Sequence, residues 1–248
     1  MVQAGDKGVV VQVVFDNVPK APALRTAWGF AAVVEAPGHD ILFDTGREGM
    51  LLLSNMQRMH LPIESIDTLF ISHSHGDHTG GLAAVLEQNV ALTLYLPASS
   101  LEKISRGLKP GVKTVGVSGP LQLAAGIYST GELGDAIREQ ALVLDTQEGL
   151  VVMTGCAHPG IDAIANRVSA LFERKIHMLI GGFHLGRSSE AEIRNIIERL
   201  KTLGVGKVAP SHCTGKQAMR LFREAWGENF IESGAGAVIR LPPLRMDQ

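Results

Sequence analysis

The sequence predicts an α/β fold of two packed sheets with helices on their outer faces. Three observations predict it. Short runs rich in Val, Ile and Leu fill the first part of the chain, the second half alternates such runs with helical patterns, and helices are spread along the whole length. Two sheets packed face to face with helices outside accommodate that order. The composition agrees, since 45% hydrophobic and 19% charged residues in a chain of 248 describe a globular protein able to bury a substantial core. No linker or low-complexity segment interrupts the chain, so residues 1–248 are expected to form one domain.

Residues 9–15, 30–35 and 40–43 read as strands by β-branched content and turn punctuation. Pro37-Gly38 is a turn signal that makes the last two a hairpin. Thr45 with Glu48 fits a capping box opening a helix over 51–60. Residues 68–72 read as a short buried strand, 81–88 as a helix, 92–96 as a strand and 100–108 as a helix. Residues 112–117, 127–130, 141–144 and 150–154 read as β. Ile161, Ile164, Val168 and Leu171 recur at helical spacing and predict an amphipathic helix over 160–174. Residues 177–180 read as a buried strand. Ser189 with Glu192 is a second capping box, and Ile193, Ile196, Ile197, Leu200 and Leu203 line one face of the helix it opens. A strand at 208–210, a helix at 216–226 and a strand at 237–241 close the chain.

The net charge of -2 provides no global field for nucleic acid or an anionic membrane. The N-terminus lacks the basic start and apolar run of a secretory signal, and no apolar stretch reaches the roughly 20 residues of a membrane span. A cytoplasmic protein with a small-molecule partner is expected, with no nucleic acid or membrane partner; oligomeric state is not addressed by the sequence. The two cysteines, Cys156 and Cys213, each lie within two residues of a histidine, which points to site chemistry rather than a disulfide.

The informative segment is His73-Ser74-His75-Gly76-Asp77-His78, just past a short apolar strand. His73 and His75 are at i and i+2, so in extended chain their side chains point the same way. Gly76 lets the backbone turn, and Asp77 and His78 then aim at a second position nearby. Imidazoles and a carboxylate suit zinc, with iron and manganese as alternatives. Three more histidines, His158, His184 and His212, sit in glycine- or proline-flanked segments where strands end, the place where α/β sheets gather their catalytic groups. His60 reads as a surface residue, His39 as part of the Pro37-Gly38 turn and His177 as structural.

His73-x-His75-x-Asp77-His78 resembles the signature of the metallo-β-lactamase superfamily. Leu42-Phe43-Asp44-Thr45-Gly46 resembles that family's first motif, in which the aspartate supports the metal loop from behind. Pro210-Ser211-His212-Cys213 resembles the segment of its last metal-binding histidine. The resemblance covers nearly the whole chain and implies a four-layer αββα sandwich. One subgroup is closer: Thr79-Gly80-Gly81-Leu82, Gly155-Cys156-Ala157-His158-Pro159-Gly160, Gly181-Gly182-Phe183-His184-Leu185 and His212-Cys213-Thr214-Gly215 recur in it as a set. It contains the 7,8-dihydropterin-6-yl-methyl-4-(β-D-ribofuranosyl)aminobenzene 5'-phosphate synthases.

The chain departs from the wider family twice. No histidine lies between His78 and His158, where the isolated third-motif histidine is expected, and Cys156 stands where a bridging aspartate is usual. The resemblance then implies one or two divalent metal ions, zinc foremost. His73, His75 and His158 would hold one, and Asp77, His78 and His212 the other. Cys156 is either a thiolate ligand or a buried supporting thiol. Asp77 would orient and deprotonate a metal-bound water, and His184 would contact the substrate or act as general acid. The leading expectation is hydrolysis of a small ester, lactone or phosphoester. The alternatives are a pterin transferase that displaces pyrophosphate, on a phosphorylated substrate, and a non-catalytic metal-holding sensor. Signal-bearing β-lactamases, nucleases with a large inserted domain, flavodiiron proteins and aspartate-bridged thioesterases each lack a match in length or motif.

Overall fold

The computed structural model describes residues 8–245. The chain runs β1 (Val9–Asp16), β2 (Phe30–Ala36), β3 (His39–Phe43), α1 (Gly49–Arg58), β4 (Thr68–Phe70), α2 (Gly76–Thr79), α3 (Leu82–Gln88), β5 (Thr93–Pro97), α4 (Ala98–Ser105) and β6 (Lys113–Val117). It continues through β7 (Leu121–Ala124), β8 (Ile127–Ser129), β9 (Leu142–Thr146), β10 (Gly149–Thr154), α5 (Ile161–Phe172), β11 (Ile176–Gly182), α6 (Glu190–Thr202), β12 (Lys207–Ser211), α7 (Lys216–Trp226) and β13 (Val238–Leu241).

Seven strands form one sheet in the order β13-β1-β2-β3-β4-β5-β6, and six form the other in the order β12-β11-β10-β9-β8-β7. Buried side chains make three apolar layers. Val11, Phe30, Phe43, Met153 and Ile180 fill the space between the sheets; Leu52, Met56, Val85 and Leu94 lie under α1 and α3; Ile164, Ile197, Leu221 and Phe222 lie under α5, α6 and α7. This is the αββα sandwich the resemblance implies. β10 is buried along its whole length because it pairs with β9 on one side and β11 on the other and is covered on both faces, which explains its uninterrupted Leu-Val-Val-Met run.

β3-β4-β5-β6 and β10-β11-β12 are parallel, so their carboxyl ends share an edge within each sheet. The loops leaving β3, β4, β10, β11 and β12 carry Asp44, the His73–His78 segment, His158, His184 and His212 respectively. Among the described residues, no helix is long and apolar enough to cross a membrane.

Three local expectations need correction, and a fourth is met. Glu48 caps α1 without any side-chain hydrogen bond, because the Thr45 hydroxyl is drawn away to the His78 carbonyl oxygen, 2.9 Å off. The capping box at Ser189 and Glu192 does form, with both reciprocal bonds present. β7 was not predicted; its residues are only partly buried, so no clean alternation marks it. His39 begins β3 rather than lying in the turn.

Candidate metal centre

The β4 loop sets the site's floor. His73 and His78 are fully buried, His75 is exposed and Asp77 is half-buried, so the cluster opens to solvent on one side. His73 Nε2 lies 3.1 Å from His75 Nδ1, as the i, i+2 spacing predicts. Gly76 starts α2, and a Cβ there would meet nothing within 4 Å. The helical turn itself, rather than glycine's freedom, aims Asp77 and His78.

His158 joins from β10 with its ring 4.8 Å from both His73 and His75. His212 joins from β12 with its ring 5.1 Å from His78 and its Nε2 3.4 Å from Asp77 Oδ2. Asp77 Oδ2 is 3.7 Å from His78 Nε2. Cys156 stands between the two groups: its sulfur, His73 and His158 offer donor atoms within 4.8 Å of one another, and so do its sulfur, His78 and His212. The Cys156 Sγ is 3.3 Å from His78 Nε2. Both cysteines are free thiols.

Three imidazoles are locked by a hydrogen bond on Nδ1, which turns Nε2 toward the centre. His78 Nδ1 donates to Asp44 Oδ2 at 2.7 Å. Ser72 Oγ donates to the same carboxylate oxygen at 2.7 Å and accepts from His73 Nδ1 at 2.9 Å. Asn17 Nδ2 donates to the His212 carbonyl, which orients the amide so that Oδ1 accepts from His212 Nδ1 at 2.7 Å. Nε2 of His158 and Nε2 of His212 are buried and without a partner. Imidazoles fixed this way, with free lone pairs converging on a thiol and a carboxylate, fit a divalent cation of the zinc type.

Electrostatics favour the same state. Burial, helped by His184, pushes His158 down to about 4, so it is neutral at physiological pH. Burial also lowers His73 well below the usual range. Burial would raise Asp77, but the adjoining imidazoles of His212 and His78 outweigh it and hold the carboxyl ionised. Burial opposes a proton on His78, yet the charge and hydrogen bond of Asp44 raise its affinity for one; a bound cation competes with that proton.

Sequence reasoning missed three contributors. Glu139 is fully buried and accepts backbone N–H groups from Gly155, Cys156, Ala157 and His158 at 2.9–3.0 Å, which fixes the turn that presents Cys156 and His158. Asn17 and Gln140 were also silent; Gln140 Nε2 donates to the Ile71 carbonyl and steadies the entry to the metal loop. Gly155 is required by close approach, since a Cβ there would fall 2.1 Å from Ser72 Oγ. Among the described residues, four of the six non-glycine residues with positive φ, Asp44, Ala157, His184 and His212, sit in these strand-end loops. His184 is exposed, its ring 4.3 Å from His158. His60, after α1, is exposed as expected. A surface recess of about 570 Å³ beside α1, lined by Gln57 and Ile63, holds none of these groups.

Asp16, at the end of β1, is fully buried; its Oδ1 accepts from Val18 N–H at 2.8 Å and its Oδ2 has no partner. Burial pushes its carboxyl up to about 6, against the pull of the Val18 N–H and of His212. The folded value lies above the unfolded one, so the stability this group lends is complete below 3.8 and lost as pH rises through about 6. In urea unfolding of the metal-free protein, Asp16→Asn is expected to gain about 2–3 kcal/mol on the parent at pH 7.5 and nothing at pH 4. An equal effect at both pH values contradicts the assignment.

The comparisons agree with this geometry. The family model described as the metallo-beta-lactamase superfamily matches residues 29–212. The chain is 28% identical to the 7,8-dihydropterin-6-methyl-4-(beta-D-ribofuranosyl)-aminobenzene-5'-phosphate synthase of Methanocaldococcus jannaschii, with 81% of this chain and 84% of that protein aligned. It is 26% identical to Tm1679, described as a metal-dependent hydrolase of the beta-lactamase superfamily, with a TM-score of 0.82 over 94% of this chain and 99% of that one. YhfI from Bacillus subtilis, a metallo-beta-lactamase fold protein, shares the fold at 15% identity and a TM-score of 0.71, with 94% of this chain and 99% of that one covered. Three layers of core, two sheets and a histidine cluster at their shared edge thus have a common origin: the chain belongs to the metallo-β-lactamase superfamily, whose members typically bind divalent metals.

Proposed function

We propose that this chain is a metal-dependent hydrolase of a small ester, lactone or phosphoester. The observation that carries the reading is the convergence of unpartnered imidazole nitrogens on the Cys156 sulfur and the Asp77 carboxylate. One or two divalent cations held there, zinc foremost, would supply Lewis acidity and a water made nucleophilic near neutral pH. His73, His75 and His158 form one donor set and Asp77, His78 and His212 the other, with Cys156 in reach of both. Asp77, ionised and half-buried, accepts the proton of the attacking water. His184, exposed beside His158, donates to the leaving group. The substrate is a small molecule, phosphorylated in one version of this reading, and the setting is cytoplasmic; neither nucleic acid nor membrane is a partner.

A second reading, a transferase that releases pyrophosphate, is favoured by the similarity to the Methanocaldococcus synthase. One experiment separates them. Protein stripped by a chelator and reloaded with zinc is assayed on aryl esters, lactones and phosphodiesters, and in parallel on a dihydropterin pyrophosphate with the ribosylated aminobenzene phosphate. Hydrolysis that falls at least about a hundredfold on stripping and returns with zinc supports the first reading. Pyrophosphate release selects the second. Turnover unchanged by metal removal dismisses both mechanisms. Tight metal binding without any reaction leaves a metal-holding sensor.

A further inference from the structure

Among the described residues, Trp28 is one of four large apolar side chains that stand exposed, at 51%. Single exposed apolar groups are ordinary, but this one is fixed against the candidate metal centre. Its ring centroid lies 4.9 Å from that of His212, and His212 is itself pinned through Nδ1 by Asn17. The chain on its C-terminal side cannot drift away. A Cβ on Gly29 would fall 2.5 Å from the Asp77 carbonyl oxygen and 3.0 Å from the Arg47 amide nitrogen, so the backbone is pressed against the metal loop. One indole face is therefore held at the lip of the site while much of the ring stays in water. Beside His158 stands the exposed His184, and the exposed Arg187 lies near enough to His184 for its charge to act on that imidazole.

We propose that Trp28 is the stacking shelf for a planar aromatic ring of the substrate, and so the residue that sets a preference for aryl over saturated compounds. This rests on the reading of the histidine cluster as the active site. An indole held at a site's mouth, tilted 50° to the imidazole behind it, gains area and favourable ring geometry from a planar partner and much less from a puckered one. The ring would lie over Trp28, and an acidic substituent would reach the metal centre and Arg187.

The test uses zinc-loaded full-length protein and two inert probes with the same acidic group on a planar aromatic or a puckered saturated six-membered ring, phenylphosphonate and cyclohexylphosphonate, titrated by calorimetry. The parent is expected to bind the phenyl compound about tenfold more tightly. Trp28→Phe keeps most of that preference. Trp28→Ala and Trp28→Leu lose it, with zinc content and thermal midpoint unchanged. Equal preference in the parent and Trp28→Ala, or no preference in the parent, overturns the shelf. The two readings fail differently. If only the shelf is wrong, both phosphonates bind in a zinc-dependent way with no ring preference. If the metal reading is wrong and the shelf is right, the phenyl preference persists in stripped protein.

Discussion

Replacing Glu139 by alanine is expected to cost about 3–5 kcal/mol of stability, a large share of the roughly 5–15 kcal/mol that holds a domain together. The carboxylate accepts four consecutive backbone N–H groups, from Gly155 to His158, and water does not readily replace it, because Glu139 and the turn from Gly155 to Ala157 are buried. Orphaning buried donors costs about 1–3 kcal/mol each when nothing replaces the acceptor. Burial raises the Glu139 carboxyl above its usual range while the N–H groups from His158, Ala157 and Cys156 pull it down, so removing the group also removes a desolvation cost and the net falls below the simple sum. Glu139→Gln should be milder, because Oε1 still serves Gly155, Cys156 and Ala157 and only the His158 N–H loses its acceptor. Urea midpoints of the metal-free variants provide the check. An alanine variant as stable as the parent would show that this carboxylate holds nothing in place.

The second large effect is expected at His158. Alanine there removes an imidazole with an unpartnered Nε2 and a ring 4.8 Å from those of His73 and His75, while its neighbours keep their own hydrogen bonds. The fold should survive, since the side chain is only partly buried. Bound zinc is expected to fall by about one equivalent if two ions are held, and turnover on the best substrate by more than about a hundredfold, beyond the 10–100-fold typical of groups that merely support a ligand. Asp44→Asn supplies that lesser case, because it weakens the hold on His78 Nδ1 without deleting a donor. Metal analysis by mass spectrometry reads the first outcome without reference to activity. Parental zinc content and turnover in His158→Ala would remove His158 from the centre.

Much of this centre was legible from the sequence because its donors are local in the chain or marked by punctuation. The i, i+2 histidines follow a short apolar strand, and His158, His184 and His212 each follow a buried strand and stand beside glycine or proline. Their convergence needed only parallel strands to share an edge. The supports were not legible, because each works across a long stretch of chain. Asn17 reaches His212 across 195 positions, Gln140 reaches Ile71 across 69, and Glu139 binds backbone rather than any side chain that a motif would display. In sequence the segment 131–135 fits a surface loop and an approach to the site equally well; in the structure Gly134 lies against Pro159 and the loop leads into Glu139. Local rules failed where a tertiary partner outbid them, as when the Thr45 hydroxyl chose the His78 carbonyl over the start of α1.

The proposed donors come from both sheets: His73, His75, Asp77 and His78 follow β4 of the seven-stranded sheet, whereas His158 and His212 follow β10 and β12 of the six-stranded one. Neither half holds a complete set. A cation gripped by both would rivet the seam between the sheets, so its affinity would add directly to the cohesion of the whole sandwich, growing with the logarithm of free metal concentration. Loss of metal and separation of the halves would then be two faces of one equilibrium.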